Sequence, residues 1–146
     1  MTKRADGKTL SEAQICDLAG VSHQRRKTWV ARGLLRDVRR GECQRSDALA
    51  VAEVRLLVDV LGPTDGVAAW QQTRSYLETC QLGDPIYILF DLELKQAVAI
   101  HKLSSVGEEI EHGRPVRLVH LTERRREIDA AFNRLCAAVE RPTSAA

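Results

Sequence analysis

Residues 9–35 read TLSEAQICDLAGVSHQRRKTWVARGLL, and this stretch decides how the N-terminal half folds. Ser11 stands where a side-chain oxygen caps a helix, and Ile15, Leu18 and Ala19 follow at helical spacing. Gly20 supplies the left-handed backbone that ends this helix. Ser22 then caps a second helix that runs to about Arg32, with Gly33 as its terminator. Two short helices joined by Gly20-Val21-Ser22 make a tight helical corner.

A helix that enters the major groove of DNA needs long polar side chains outside and apolar anchors behind. With Trp29, Val30 and Gly33 placed inward, a turn of about 100° per residue points Gln24, Lys27, Thr28 and Ala31 outward. His23 and Arg25 then lie on the flanks. Gln pairs with adenine edges, Arg with guanine, and Thr meets a thymine methyl or a phosphate. His23 and Gln24 also sit at the N-terminal end, where backbone N–H groups meet phosphates. Arg26 falls on the inner side. A buried lone guanidinium is costly, so it must pair with a carboxylate or snorkel past Trp29, unless the helix is rotated and Arg26 itself faces DNA.

The next stretch, Arg36 to Arg45, is short, basic and centred on Gly41, which predicts a hairpin wing. Its Arg36, Arg39, Arg40 and Arg45 suit phosphates, which position a protein without reading sequence. Charge supports a polyanionic partner at this end. Residues 1–45 hold 11 Lys/Arg against 5 Asp/Glu, whereas residues 46–146 hold 11 against 15, so a chain of net charge +2 is basic in front and acidic behind.

The ordered series Thr9-Leu10-Ser11-Glu12-Ala13, Leu18-Ala19-Gly20-Val21-Ser22 and Trp29-Val30-Ala31-Arg32-Gly33-Leu34-Leu35, followed by the basic stretch and a helix opening at Ser46-Asp47, resembles the MerR-like winged helix-turn-helix superfamily. That superfamily also includes many phage excisionases. The resemblance covers about residues 9–77. It implies a sequence-specific transcriptional regulator that binds double-stranded DNA, most simply cytoplasmic, nucleoid-associated and of bacterial type, and that works as a homodimer. Two departures stand out: Arg26 occupies a position where the family usually has Leu or Val, and no long dimerisation helix directly follows the DNA-binding part. An excisionase-like architectural or recombination factor therefore stays open. So does a protein-interaction module with a degenerate helix-turn-helix, whose acidic C-terminal half binds a protein partner.

Beyond the corner, Ser46 or Asp47 caps a helix to Leu61 whose apolar residues lie nearly all round, so it is central and buried. Gly62-Pro63 breaks it, and Thr64 or Asp65 starts a fourth helix carrying Val67, Trp70 and Leu77. Gly83-Asp84-Pro85 marks the predicted domain boundary. Ile86–Leu92 and Ala97–Leu103 then read as a β-hairpin turning near Glu93–Gln96. Ser104 or Ser105 opens a short helix to His112, Val116–Leu121 is a third strand, and Thr122 caps a last helix to about Glu140. In that helix Ile128, Phe132, Leu135 and Val139 form an apolar stripe suited to packing within the chain or to a dimer seam.

The expected architecture is thus α+β. Residues 1–8 form a tail, 9–80 the DNA-binding domain, 84–140 a small α+β domain that dimerises or receives a signal, and 141–146 a second tail.

The same residues speak against other classes. Cys16, Cys43, Cys80 and Cys136 never form a C-x-x-C pair, so no metal site is expected, and Cys16 and Cys136 read as small core residues. His101 and His120 lie in predicted strands without a Cys or carboxylate at ligand-like spacing, and Glu108-Glu109 reads as a solvated face. With no Gly-rich phosphate loop, G-x-S-x-G or H-E-x-x-H, neither a catalytic residue nor a cofactor is expected. No apolar run is long enough to cross a bilayer, and Met1-Thr2-Lys3-Arg4 is not followed by the apolar stretch of a signal peptide, so no membrane partner is expected.

Overall fold

Helices come first and a sheet with a closing helix follows. A computed structural model describes residues 8–38, 41–104 and 113–140. Among these lie α1 Glu12–Ala19, α2 His23–Ala31, α3 Arg45–Leu61, α4 Pro63–Thr79, β1 Tyr87–Asp91, β2 Gln96–Ile100, β3 Val116–His120 and α5 Thr122–Glu140. The protein is α+β, with five helices and one three-stranded antiparallel sheet of order β2-β1-β3 among the described residues. The expected helix over 105–112, with Glu108 and Glu109, lies outside them, as do Arg39, Arg40 and the side chain of Val139.

The chain divides into two units, one made of residues 1–52 and 127–146, the other of 53–126. This is not the division expected at Gly83-Asp84-Pro85. That stretch marks the change from helix to strand, while α4 before it and β2 after it belong to one unit and lie against each other.

In the first unit, both short helices end as their glycines predict. Ser11 and Gln14 form a reciprocal capping box, the Ser11 Oγ accepting from the Gln14 N–H at 3.1 Å and the Gln14 Oε1 from the Ser11 N–H at 2.9 Å. Gly20 takes φ 70° and Gly33 φ 77°. After each glycine the chain folds back by the same pair of bonds: Val21 N–H to Cys16 O and Gly20 N–H to Asp17 O, then Leu34 N–H to Trp29 O and Gly33 N–H to Val30 O. Val21 with Cys16, and Leu34 with Trp29, are buried, which supplies the apolar contact of this ending. The α3 start differs slightly from expectation. Asp47 is not the cap but the third helical residue, and its carboxylate reaches back to the Gln44 N–H at 2.7 Å.

The expected wing hairpin is absent among the described residues of 36–45. Instead Cys43 forms a single antiparallel bridge with Leu10, Leu10 N–H to Cys43 O at 2.8 Å and the reverse bond at 3.0 Å. This basic stretch is therefore tied to the segment before α1. Cys43 is fully buried there, and burial pushes its thiol up to about 11. In α5, Ile128, Phe132 and Cys136 are buried at spacings of four, and Leu135 is half-buried. Ile128 and Phe132 pack within the chain, and those two side chains have no surface left to offer a second copy.

In the second unit, Gly62 takes φ 96° and Pro63 opens α4 at its first position, where a missing N–H costs nothing. Gly66 lets α4 approach α3 closely, since a Cβ there would lie 2.5 Å from the Val58 Cα and 2.7 Å from the Leu57 carbonyl oxygen. The sheet presents Ile88, Phe90 and Val119 to the core, all buried. The β1–β2 turn is organised by Asp91, whose Oδ1 accepts the Leu94 and Glu93 N–H groups at 2.9 Å each. Those bonds, Leu94's first, hold its carboxyl below the usual range, and Lys95 completes the turn at φ 56°. The Gln72 side chain of α4 bonds β2 as a strand would, Nε2 donating to the Lys95 carbonyl at 3.0 Å and Oε1 accepting the Ala97 N–H at 2.7 Å. Thr122 is not a cap: its hydroxyl accepts the Ile86 N–H at 2.8 Å, and Leu121 accepts the first α5 bond, from Arg125.

One buried ion pair lies in this unit, between Arg125 and Glu53, with side chains 5% and 4% exposed. Arg125 also donates to the Cys80 carbonyl at 3.3 Å. Burial pushes the Glu53 carboxyl up to about 7, against the downward pull of Arg125. The folded chain thus holds this proton more tightly than the unfolded one, whose ordinary value is 4.5. Its contribution to stability is full below about pH 4.5 and is lost as pH rises through about 7. The denaturation midpoint is expected to fall between about pH 5 and pH 8, and Glu53→Gln to flatten that slope. A wild-type profile with no such fall would remove the assignment.

Candidate nucleic-acid interface

The outer surface of α2 is polar and basic because its buried positions are few. Only Arg26 and Trp29 are buried, while His23, Gln24, Arg25, Lys27, Thr28 and Ala31 are exposed, as the helical wheel requires. Ser22 accepts the Arg25 N–H at 3.0 Å, which sets the start of the helix. No acidic residue lies between His23 and Ala31.

Arg26 is 1% exposed and faces inward. Its guanidinium is held by Glu12, from the first turn of α1, and donates to the Arg36 carbonyl at 3.2 Å. Of the alternatives left open by the sequence, pairing with a carboxylate is the one adopted, and the helix is not rotated. Glu12 is the partner that sequence reading left unnamed. The signal was there: Glu12 opens the helix packed against α2, so its carboxylate lies within reach of the one charged residue on the inner side.

The other predicted residues separate into two groups. Gln24 and Lys27 are exposed, and the Thr28 hydroxyl donates to the Gln24 carbonyl at 3.1 Å within the helix. Arg25 lies back along the helix with its guanidinium 4.9 Å from the Trp29 ring, a cation–π contact that leaves its edge in solvent. His23 stands 3.9 Å from Glu12. Lys27 and Ala31 border a groove that also holds Glu12 and Asp37, so negative charge partly offsets Lys27 on that side.

The wing arginines are less available than their number suggests. Arg36 is clamped in bidentate fashion by Asp47, at 3.1 and 2.8 Å, and the bond raises its pKa further. It remains 55% exposed, and its Nη1 has no partner among the described residues. Arg45 is different. It opens α3, pairs with Asp129 at 2.7 Å and donates to Asn133 at 2.9 Å, so a phosphate at Arg45 would have to share the side chain with α5. Arg39 and Arg40 lie outside the described residues.

The histidines considered for chemistry have local partners. His101 bonds the Tyr76 hydroxyl and, through Nδ1, the Pro85 carbonyl at 2.8 Å, whereas His120 stacks on Tyr87 at 4.4 Å. They flank β1 on opposite sides. Among the described residues no group of three or more His, Cys, Asp or Glu side chains is placed to hold a metal ion, and no helix is long and apolar enough to cross a membrane. No family model matches the chain, and no curated protein is similar to it.

Proposed function

We propose that this chain is a sequence-specific DNA-binding transcriptional regulator that sets α2 in the major groove. The observation that carries the reading is the surface of α2. Gln24, Arg25, Lys27 and Thr28 are exposed together on a helix without acidic residues, while its inner face is anchored by Trp29 and the neutralised Arg26. Gln24 and Arg25 read base edges, and Lys27, Arg36, Arg39 and Arg40 meet phosphates. Such a protein acts in the cytoplasm, at the nucleoid. The inward pairing of Arg26 also supports DNA binding over a bare interaction module, because Arg26 was the residue that made α2 look degenerate as a reader. The MerR-like resemblance points the same way, and an excisionase-like role uses the same helix.

Selection from random duplexes is expected to return a defined site. Affinity for it is expected to fall roughly 10²-fold between about 50 and 200 mM salt if these four basic side chains touch phosphates. Gln24→Ala is expected to cost about 1–3 kcal/mol on the best site and to relax preference at about one base position. Lys27→Ala is expected to weaken all sequences equally and to lower the salt slope by about one. Binding that is flat with salt, or a selection without a preferred site, would overturn the proposal.

A further inference from the structure

The β3 strand is bonded to β1 on one side and has no strand partner on the other among the described residues. Leu121 N–H bonds Ile86 O and Leu92 N–H bonds Pro115 O, so the odd-numbered residues of this strand turn their backbone groups toward β1. By the alternation of an antiparallel ladder, Val116, Leu118 and His120 turn theirs the other way. None of those groups has a partner among the described residues. The side chains of the same three residues share the outer sheet face, where Leu118 is 40% exposed and His120 is exposed. An edge strand is ordinarily guarded by a lysine, a bulge or a proline that interrupts the outward row. Here the outward row carries no Lys, Arg, Asp or Glu, and Pro115 turns toward β1 rather than outward.

We infer that β3 is a homodimerisation edge, pairing antiparallel with β3 of a second copy of this chain about a two-fold axis at Leu118. This register is self-complementary. It sets Leu118 against the partner's Leu118 and Val116 against the partner's His120, satisfying the outward N–H and C=O groups of both strands. It also brings Arg114, which holds Asp91 of its own chain at 3.4 Å and is still 42% exposed, beside the exposed Glu123 in the first α5 turn of the other copy, twice by symmetry. Opposite charges at both ends with an apolar pair at the centre favour this register over slipped ones. The surface lies on β3 and the residues beside it, so the inference stands apart from the reading of α2.

Sedimentation equilibrium of the full chain at neutral pH is expected to show a dimer in the micromolar range. Leu118→Lys sets two like charges face to face on an already exposed position and is expected to weaken the dimer at least about tenfold without loss of fold. Arg114→Glu is expected to weaken it as well, and Arg114→Glu with Glu123→Arg to restore it, which a merely unstable variant would not do. A monomer at every concentration overturns the inference. So does a dimer indifferent to Leu118→Lys, or a charge swap that fails to recover what the single change lost.

Discussion

Glu53→Ala is expected to lower folding stability by about 3–5 kcal/mol, measured by urea unfolding at about pH 8, where the carboxylate is ionised. The reason is what the substitution leaves behind. The Arg125 side chain is 5% exposed, and its remaining partner among the described residues is the Cys80 carbonyl. A guanidinium stranded out of water without a carboxylate pays its desolvation with little return. At roughly 2–4 °C per kcal/mol for a chain of this size, the melting point should drop by about 10 °C or more. The double variant Glu53→Leu with Arg125→Met removes both charges and should recover most of the loss, because a buried pair is worth far less than the penalty of breaking it. A loss below about 1 kcal/mol for Glu53→Ala would show that water reaches Arg125 and that the pair is not truly buried.

Gly66→Ala is expected to destabilise by about 2–3 kcal/mol, although alanine is the better helix former. In an open helix the exchange would gain about 1 kcal/mol. Here the new Cβ would meet the Val58 Cα at 2.5 Å, the Val58 nitrogen at 2.6 Å and the Leu57 oxygen at 2.7 Å. All three are backbone atoms of α3, so no side chain can swing aside and the two helices must part. Gly83 provides the control: nothing lies within 4 Å of a Cβ built there, and Gly83→Ala should leave stability within about 0.5 kcal/mol of wild type. Equal effects at the two sites would mean that α3 and α4 slide past each other freely.

What the sequence reveals and what it conceals divide along the range of the interaction. The helical corner was legible because each part of it is local. Ser11 and Ser22 bond residues three positions on, and Gly20 and Gly33 are needed for the backbone they adopt. The hairpin was legible for the same reason: Asp91 organises its own turn and the strands beside it are β-rich. The outward face of α2 followed from its periodicity alone, and so did the awkwardness of Arg26, though not its partner. The wing was misread because Gly41 and its basic neighbours have hairpin composition, while the bond that holds Cys43 goes to Leu10, far back in the chain. The partners of Arg45 were not legible because Asp129 and Asn133 lie 84 and 88 residues later, and nothing near Arg45 announces them. The apolar stripe of α5 looks the same whether it meets its own chain or another, and only the burial of Ile128 and Phe132 distinguishes the two. The candidate interface was thus legible where it depends on one helix, and opaque where remote acids claim its arginines.

The Gln72 side chain covers the near end of the sheet's other margin. By holding the Lys95 carbonyl and the Ala97 N–H, with α4 lying against β2, it leaves that strand poorly able to accept a neighbour. A sheet with two open margins can add copies without end and grow into a filament, whereas one with a single open margin cannot. Two chains joined at β3 would turn a sealed margin outward at each end of a six-stranded sheet, and growth would stop there. If two copies do pair at β3, the Gln72 amide, with α4 behind it, is what would keep the pair finite, and Gln72→Ala would loosen that margin.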